Sequence, residues 1–196
     1  MPQKRNSRGF SLVEVLIALT ITATLLTATL AALDASFKSY TVTSESASTH
    51  VVSRIVMQRI MALIRNGEQF GPYPVNPINT PMIESDWMEF VSYSNPATGV
   101  RRITTLARQG TEGDYTLVYT LSVYQDGVLQ SEDSRPLITG LTLLNFMMEY
   151  DVGPTLQRVT VDMVVQPNDL QDAAVTAGLE APTIRMVASA SPRKLE

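Results

Sequence analysis

Glu14 is the side chain that most needs a chemical explanation. It lies four residues into an uninterrupted apolar run, residues 10–33, which Lys4, Arg5 and Arg8 precede. An ionised carboxylate in a membrane helix costs about 2.5–3.5 kcal/mol on insertion scales, so an unpaired one requires a partner or a use. Elsewhere the chemistry is sparse. His50 is the sole histidine and there is no cysteine, which speaks against a transition-metal site. His50 reads as an exposed helix residue. There is no Gly-rich phosphate loop, nucleophile elbow or metalloprotease helix, so the chain does not read as an enzyme and no cofactor is expected. Calcium is the one ligand that spacing brings up. Asn168, Asp169 and Asp172 cluster late in the chain, and Glu112 and Asp114 flank Gly113. Calcium takes about six to eight oxygens; neither cluster follows a calcium-loop signature, and a solvated acidic loop is the plainer reading.

The element that carries Glu14 is a helix built for a bilayer. Roughly 24 residues at about 1.5 Å each give about 36 Å, enough for a tilted crossing. A secretory signal peptide has the same basic head, but its apolar core is only about 7–15 residues long and ends in a small-x-small site. Here the run is longer, and Thr29-Leu30-Ala31 is the best such site it offers. A plain anchor accounts for the length and leaves Glu14 unexplained. A buried helix of a soluble protein has no need of three cations at its head. Those cations lie on one side of the run, against Asp34 and Lys38 on the other. The positive-inside rule therefore keeps the N-terminus in the cytoplasm and sends the C-terminal part across the membrane. Thr20, Thr22, Thr24, Thr27 and Thr29 stud the run; a threonine hydroxyl can return its hydrogen bond to a carbonyl one turn back.

No proline or glycine occurs between Phe10 and Asn66, so one helix is expected to continue beyond the membrane. Phe37 and Tyr40 fall where amphipathic rings anchor at the interface. Residues 39–49 are rich in serine and threonine and are weak helix formers. Val52, Ile55, Val56, Ile60, Leu63 and Ile64 then recur at steps of three and four, an amphipathic stripe. Asn66-Gly67 is the expected stop, because glycine accepts a left-handed conformation. Four prolines (Pro72, Pro74, Pro77, Pro81) mark a loop. The period then falls to two. Tyr115, Leu117, Tyr119, Leu121 and Val123 alternate with Thr116, Thr120 and Ser122, and Asp126-Gly127 suits a type I′ turn into a return strand at Val128. Further strands are expected at 88–93, 101–106, 143–150, 159–165 and 184–188, with Gly153-Pro154 as a break and 166–182 as a surface loop. Trp87, with Met88 and Phe90, is expected to anchor the core; Met147 and Met148 beside Phe146 read as gap-filling core residues. A helix followed by antiparallel strands is an α+β arrangement. With no cysteine the fold relies on packing, which roughly 130 residues can supply. The formal charge is −4, to which Lys4, Arg5 and Arg8 contribute +3, so the remainder is more acidic still. That balance argues against nucleic-acid contact.

Gly9-Phe10-Ser11-Leu12-Val13-Glu14-Val15-Leu16-Ile17-Ala18-Leu19, behind a basic leader, resembles the class III signal of type IV pilins and type II secretion pseudopilins. The resemblance implies cleavage between Gly9 and Phe10 by a membrane-embedded prepilin peptidase, N-methylation of Phe10, and Glu14 as the acid used in assembly. It implies a pilin-like fold, with residues 1–9 as leader, 10–33 as transmembrane segment, 34–66 as amphipathic continuation and 67–196 as an extracytoplasmic β domain. Partners would be the peptidase, other pilin or pseudopilin subunits, the inner-membrane assembly platform and the membrane itself. Residues 138–146, followed by Val159-Thr160-Val161, resemble in pattern the larger minor subunits, the J-type pseudopilin and the W-type minor pilin. The missing helix breaker sets the chain apart from many major pilins. A single-pass membrane protein with an independent extracytoplasmic ligand-binding domain is the alternative.

Overall fold

The structure, a computed structural model, describes residues 11–76, 78–151, 155–166 and 183–193. Among the described residues one helix, α1 (Leu12–Asn66), precedes eight strands: β1 (Glu68–Gly71), β2 (Met82–Ser85), β3 (Trp87–Asn95), β4 (Val100–Thr111), β5 (Asp114–Gln125), β6 (Val128–Asp151), β7 (Thr155–Val165) and β8 (Ile184–Ala190). All strands join one antiparallel sheet in the order β1-β3-β4-β5-β6-β7-β8, and β2 pairs with the later part of β6. The fold is α+β: a long N-terminal helix and an antiparallel sheet. The chain divides into two compact units, Met1–Thr43 and Ser44–Glu196, and α1 contributes to both.

In the first unit residues 12–43 are helical, and all of them are exposed except the half-buried Lys38, Thr41 and Val42. Each threonine satisfies its hydroxyl locally. Thr20 donates to the Ile17 carbonyl (2.8 Å), Thr24 to Ile21 (2.9 Å), Thr27 to Ala23 (2.8 Å) and Thr29 to Leu26 (2.8 Å), while Thr22 bonds to Ala18. These five threonine hydroxyls are thus satisfied within the helix, as their residue type allows. The serine- and threonine-rich stretch is helical too, with Thr41 donating to Phe37 and Thr43 to Ser39.

In the second unit α1 buries Ser53, Val56, Met57, Ile60, Met61 and Ile64 against the sheet. The core they meet includes Met88, Phe90, Leu106, Leu117, Phe146, Met148, Val161 and Met163. The expected stripe is corrected here: Val52 and Ile55 are 45% and 59% exposed. Apolar residues surround that turn of the helix, so their spacing alone does not choose a face; Met57 and Met61 settle it. The helix stops after Asn66 as expected, but for another reason. Gly67 has no left-handed φ. A Cβ there would stand 2.6 Å from Cδ2 of Phe90 and 2.9 Å from Cζ of Phe70, so the glycine permits close packing.

Strand parity places the core. On β5, Tyr115, Leu117, Tyr119, Leu121 and Val123 share the helix-bearing face, and Leu106 and Tyr119 are cross-strand partners. Met88 pairs with Leu106 and is fully buried. Trp87 has the opposite parity, pairs with Ala107 and is 38% exposed, so it sits on the outer face and is not a core anchor. Asp126 (φ 51°) and Gly127 (φ 79°) are both left-handed, as a type I′ turn requires.

The sharpest departure is β6, a single 24-residue strand where two separate strands were expected. Its first half pairs with β5 on one side only, since β7 joins it from Leu141 onward. Residues 131–136 are exposed and so show no alternation. Pro136 is tolerated because that half of the strand is an edge. Gly153-Pro154 and residues 167–182, with Asn168, Asp169 and Asp172, lie outside the described residues.

Candidate processing and assembly site

The described part of the site begins at Ser11, and it is a capping box. The Ser11 N–H donates to Oε2 of Glu14 at 2.9 Å, and the Glu14 N–H donates to Oγ of Ser11 at 3.2 Å. Ser11 is the N-cap: its carbonyl accepts the Val15 N–H at 3.2 Å, and helix begins at Leu12. Two of the main-chain donors left over at a helix start are thus satisfied reciprocally. A carboxylate in the first turn also lies at the positive end of the helix dipole. The sequence reading assigned Glu14 to a partner outside its own helix and passed over Ser11. The signal was present, since Ser11-Leu12-Val13-Glu14 has the S-x-x-E spacing.

Lys4, Arg5, Arg8, Gly9 and Phe10 lie outside the described residues. Behind the cap, α1 contains an 18-residue window apolar enough to cross a membrane, and none of that window is buried. Phe37 and Tyr40 are exposed beyond it.

Residues 4–30 match the family model described as the prokaryotic N-terminal methylation motif. The chain carries a prepilin-type signal. This is the signal of type IV pilins and pseudopilins, whose proteins are structural and not enzymatic. It implies processing by a prepilin peptidase, N-methylation and assembly with other pilin subunits. The signal and the apolar helix together fit a membrane-anchored protein. Neither the curated proteins nor the solved structures yield a match.

The remaining described candidates belong to the second unit. His50 is exposed on α1. Glu112 and Asp114 sit exposed around the β4–β5 turn. Among the described residues no group of three or more histidine, aspartate or glutamate side chains is placed to hold a metal ion.

Proposed function

We propose that the chain is a minor pilin or minor pseudopilin of a type IV pilus or a type II secretion-like filament. It is inserted with its N-terminus in the cytoplasm and its β domain outside. A prepilin peptidase cuts after Gly9, with Lys4, Arg5 and Arg8 holding the bond at the cytoplasmic face, and Phe10 is methylated. The divisions are 1–9 as leader, 10–33 as membrane segment, 34–66 as helical continuation and 67–196 as the extracytoplasmic domain. The assembly platform and sibling subunits then take the chain into a fibre whose core is a bundle of such helices. It has no enzymatic role in this reading and makes no nucleic-acid contact.

The match over residues 4–30 carries the reading. A long helix leading into an antiparallel sheet supports it. A minor role is supported by a helix with no proline or glycine from Leu12 to Asn66.

Glu14 has two tasks in this account. Oε2 caps its own helix, and a carboxylate has two oxygens with which to accept. After cleavage the terminal amine of Phe10 carries a positive charge, its unperturbed pKa being about 7.7–8.0. Glu14 follows Phe10 by four residues, so an axial shift between neighbours would bring acid and amine together. Pairing in an apolar fibre core offsets part of the desolvation penalty and fixes the stagger.

Gly9→Val tests the processing. The variant should accumulate as full-length precursor in the membrane when a prepilin peptidase is present. Normal trimming of Gly9→Val would assign cleavage to another enzyme and favour the single-pass alternative.

A further inference from the structure

Where the β3–β4 and β5–β6 hairpins turn, the sheet ends in a cleft of about 570 Å³. That size falls within the range of about 300–1,000 Å³ typical of small-ligand sites. The two turns are tied together, the Asp126 N–H donating to the Gly99 carbonyl at 3.0 Å. The Asp126 carboxylate lies against Gly99, where a Cβ would collide with its Oδ1 and where φ is 65°, so a side chain there would be strained and would displace Asp126. Arg101 and Tyr124 are cross-strand partners on β4 and β5, and both line the cleft with Ser94, Asn95 and Ile103.

Arg101 is held in place and not neutralised. Its Nη2 donates to Oε1 of Gln69 at 2.7 Å, and among the described residues no carboxylate forms an ion pair with it. Gln69 itself has φ 52°, a left-handed conformation uncommon for a residue other than glycine, asparagine or aspartate. A strained backbone that delivers a neutral amide to a guanidinium fixes its direction while leaving its charge for something else.

We propose that this cleft binds a carboxylated sugar, a uronate residue of an acidic glycan. The guanidinium offers paired N–H donors that match a carboxylate. The Tyr124 ring and Ile103 supply an apolar wall for the C–H face of a pyranose. Ser94 and Asn95 supply a hydroxyl and an amide for its ring hydroxyls. An acidic peptide is the weaker fit. The strands that carry Arg101 and Tyr124 are paired on both sides, so an extended peptide has no free ladder to join.

The test is calorimetric titration of the full-length chain, in uncharged detergent, with trigalacturonate. Saturable binding that weakens with added salt is expected. Arg101→Gln should lose affinity by about tenfold or more, as for a hydrogen bond to a charged group. Ser94→Trp, which fills the cleft, should do the same. Arg102→Gln should bind as the parent does, because that guanidinium lies over the Tyr93 ring and Arg102 has the opposite strand parity. Far-ultraviolet circular dichroism and a melting curve verify that each variant is folded. Absence of saturable binding, or unchanged affinity in Arg101→Gln and Ser94→Trp, would overturn the proposal. Galactotriose binding as tightly would show that the carboxylate is not recognised. Triglutamate binding in place of the uronate would reassign the cleft to peptide.

Discussion

Ser11 and Glu14 fill each other's main-chain hydrogen bonds, and this changes what a substitution at Glu14 means. Glu14→Leu removes a charge and a cap together. Glu14→Gln removes the charge and keeps a side chain that serves in a capping box. On the proposed function, pairing with the Phe10 amine needs the charge, so both variants should be inserted and trimmed yet stay out of sheared fibres. Ser11→Ala, which weakens the cap and keeps the carboxylate, should still enter them. Fibres containing Glu14→Gln at the parental level would show that the acid acts by capping alone.

At the scale of elements, the loop after β1 is held to the sheet by Tyr150 near the end of β6. Its side chain is 3% exposed, and its hydroxyl donates to the Pro72 carbonyl at 2.9 Å, with the Phe70 carbonyl at 3.3 Å. Burial, and then the neighbouring Tyr73, holds the Tyr150 pKa well above the usual 10.0. The folded state therefore favours the protonated ring. This contribution is complete below the unfolded pKa of about 10 and is lost as pH rises from there through the folded pKa. Tyr150→Phe should cost about 1–3 kcal/mol at neutral pH, since it leaves a buried carbonyl without its donor. It should also flatten the alkaline fall in stability, as read from Trp87 emission during denaturation. An unchanged alkaline fall would place its origin in another tyrosine. Sequence pattern had made β5 legible, because Tyr115, Leu117, Tyr119, Leu121 and Val123 recur at every second position, with only Val118 breaking the polar set between them, and Asp126-Gly127 names its own turn. It had also made α1 legible, because no breaker interrupts it. It did not reveal the continuous β6, whose residues 131–136 face water on both sides and so lack periodicity. Nor did it reveal β2, four residues long and stabilised by pairing with β6, a contact distant in sequence. Trp87 was misplaced because an aromatic beside Met88 and Phe90 looks like core until strand parity is counted. At the signal itself, Glu14 stood out as an acid among apolar residues. Ser11 did not stand out, although its S-x-x-E spacing to Glu14 carries the capping-box signal.

At the scale of the whole molecule, the second compact unit, Ser44–Glu196, holds a core built by the later part of α1 and the sheet. A fragment of residues 34–196 should therefore fold and remain soluble without the membrane segment. A fragment of residues 71–196 loses Val56, Met57, Ile60, Met61 and Ile64, exposes the sheet face they cover, and should aggregate or melt far earlier. Circular dichroism and sedimentation compare the two; equal stability would mean that the helix adds nothing to the core. The same organisation leaves the first unit to the membrane and to neighbouring subunits, which is the proposed use of a prepilin-type signal. The most direct test of that account is the intact mass and N-terminal sequence of the chain purified from membranes that contain a prepilin peptidase. The account predicts a mature chain that begins at an N-methylated Phe10. A chain still carrying Met1, or one that begins near Ala35 as ordinary signal peptidase would leave it, would contradict it.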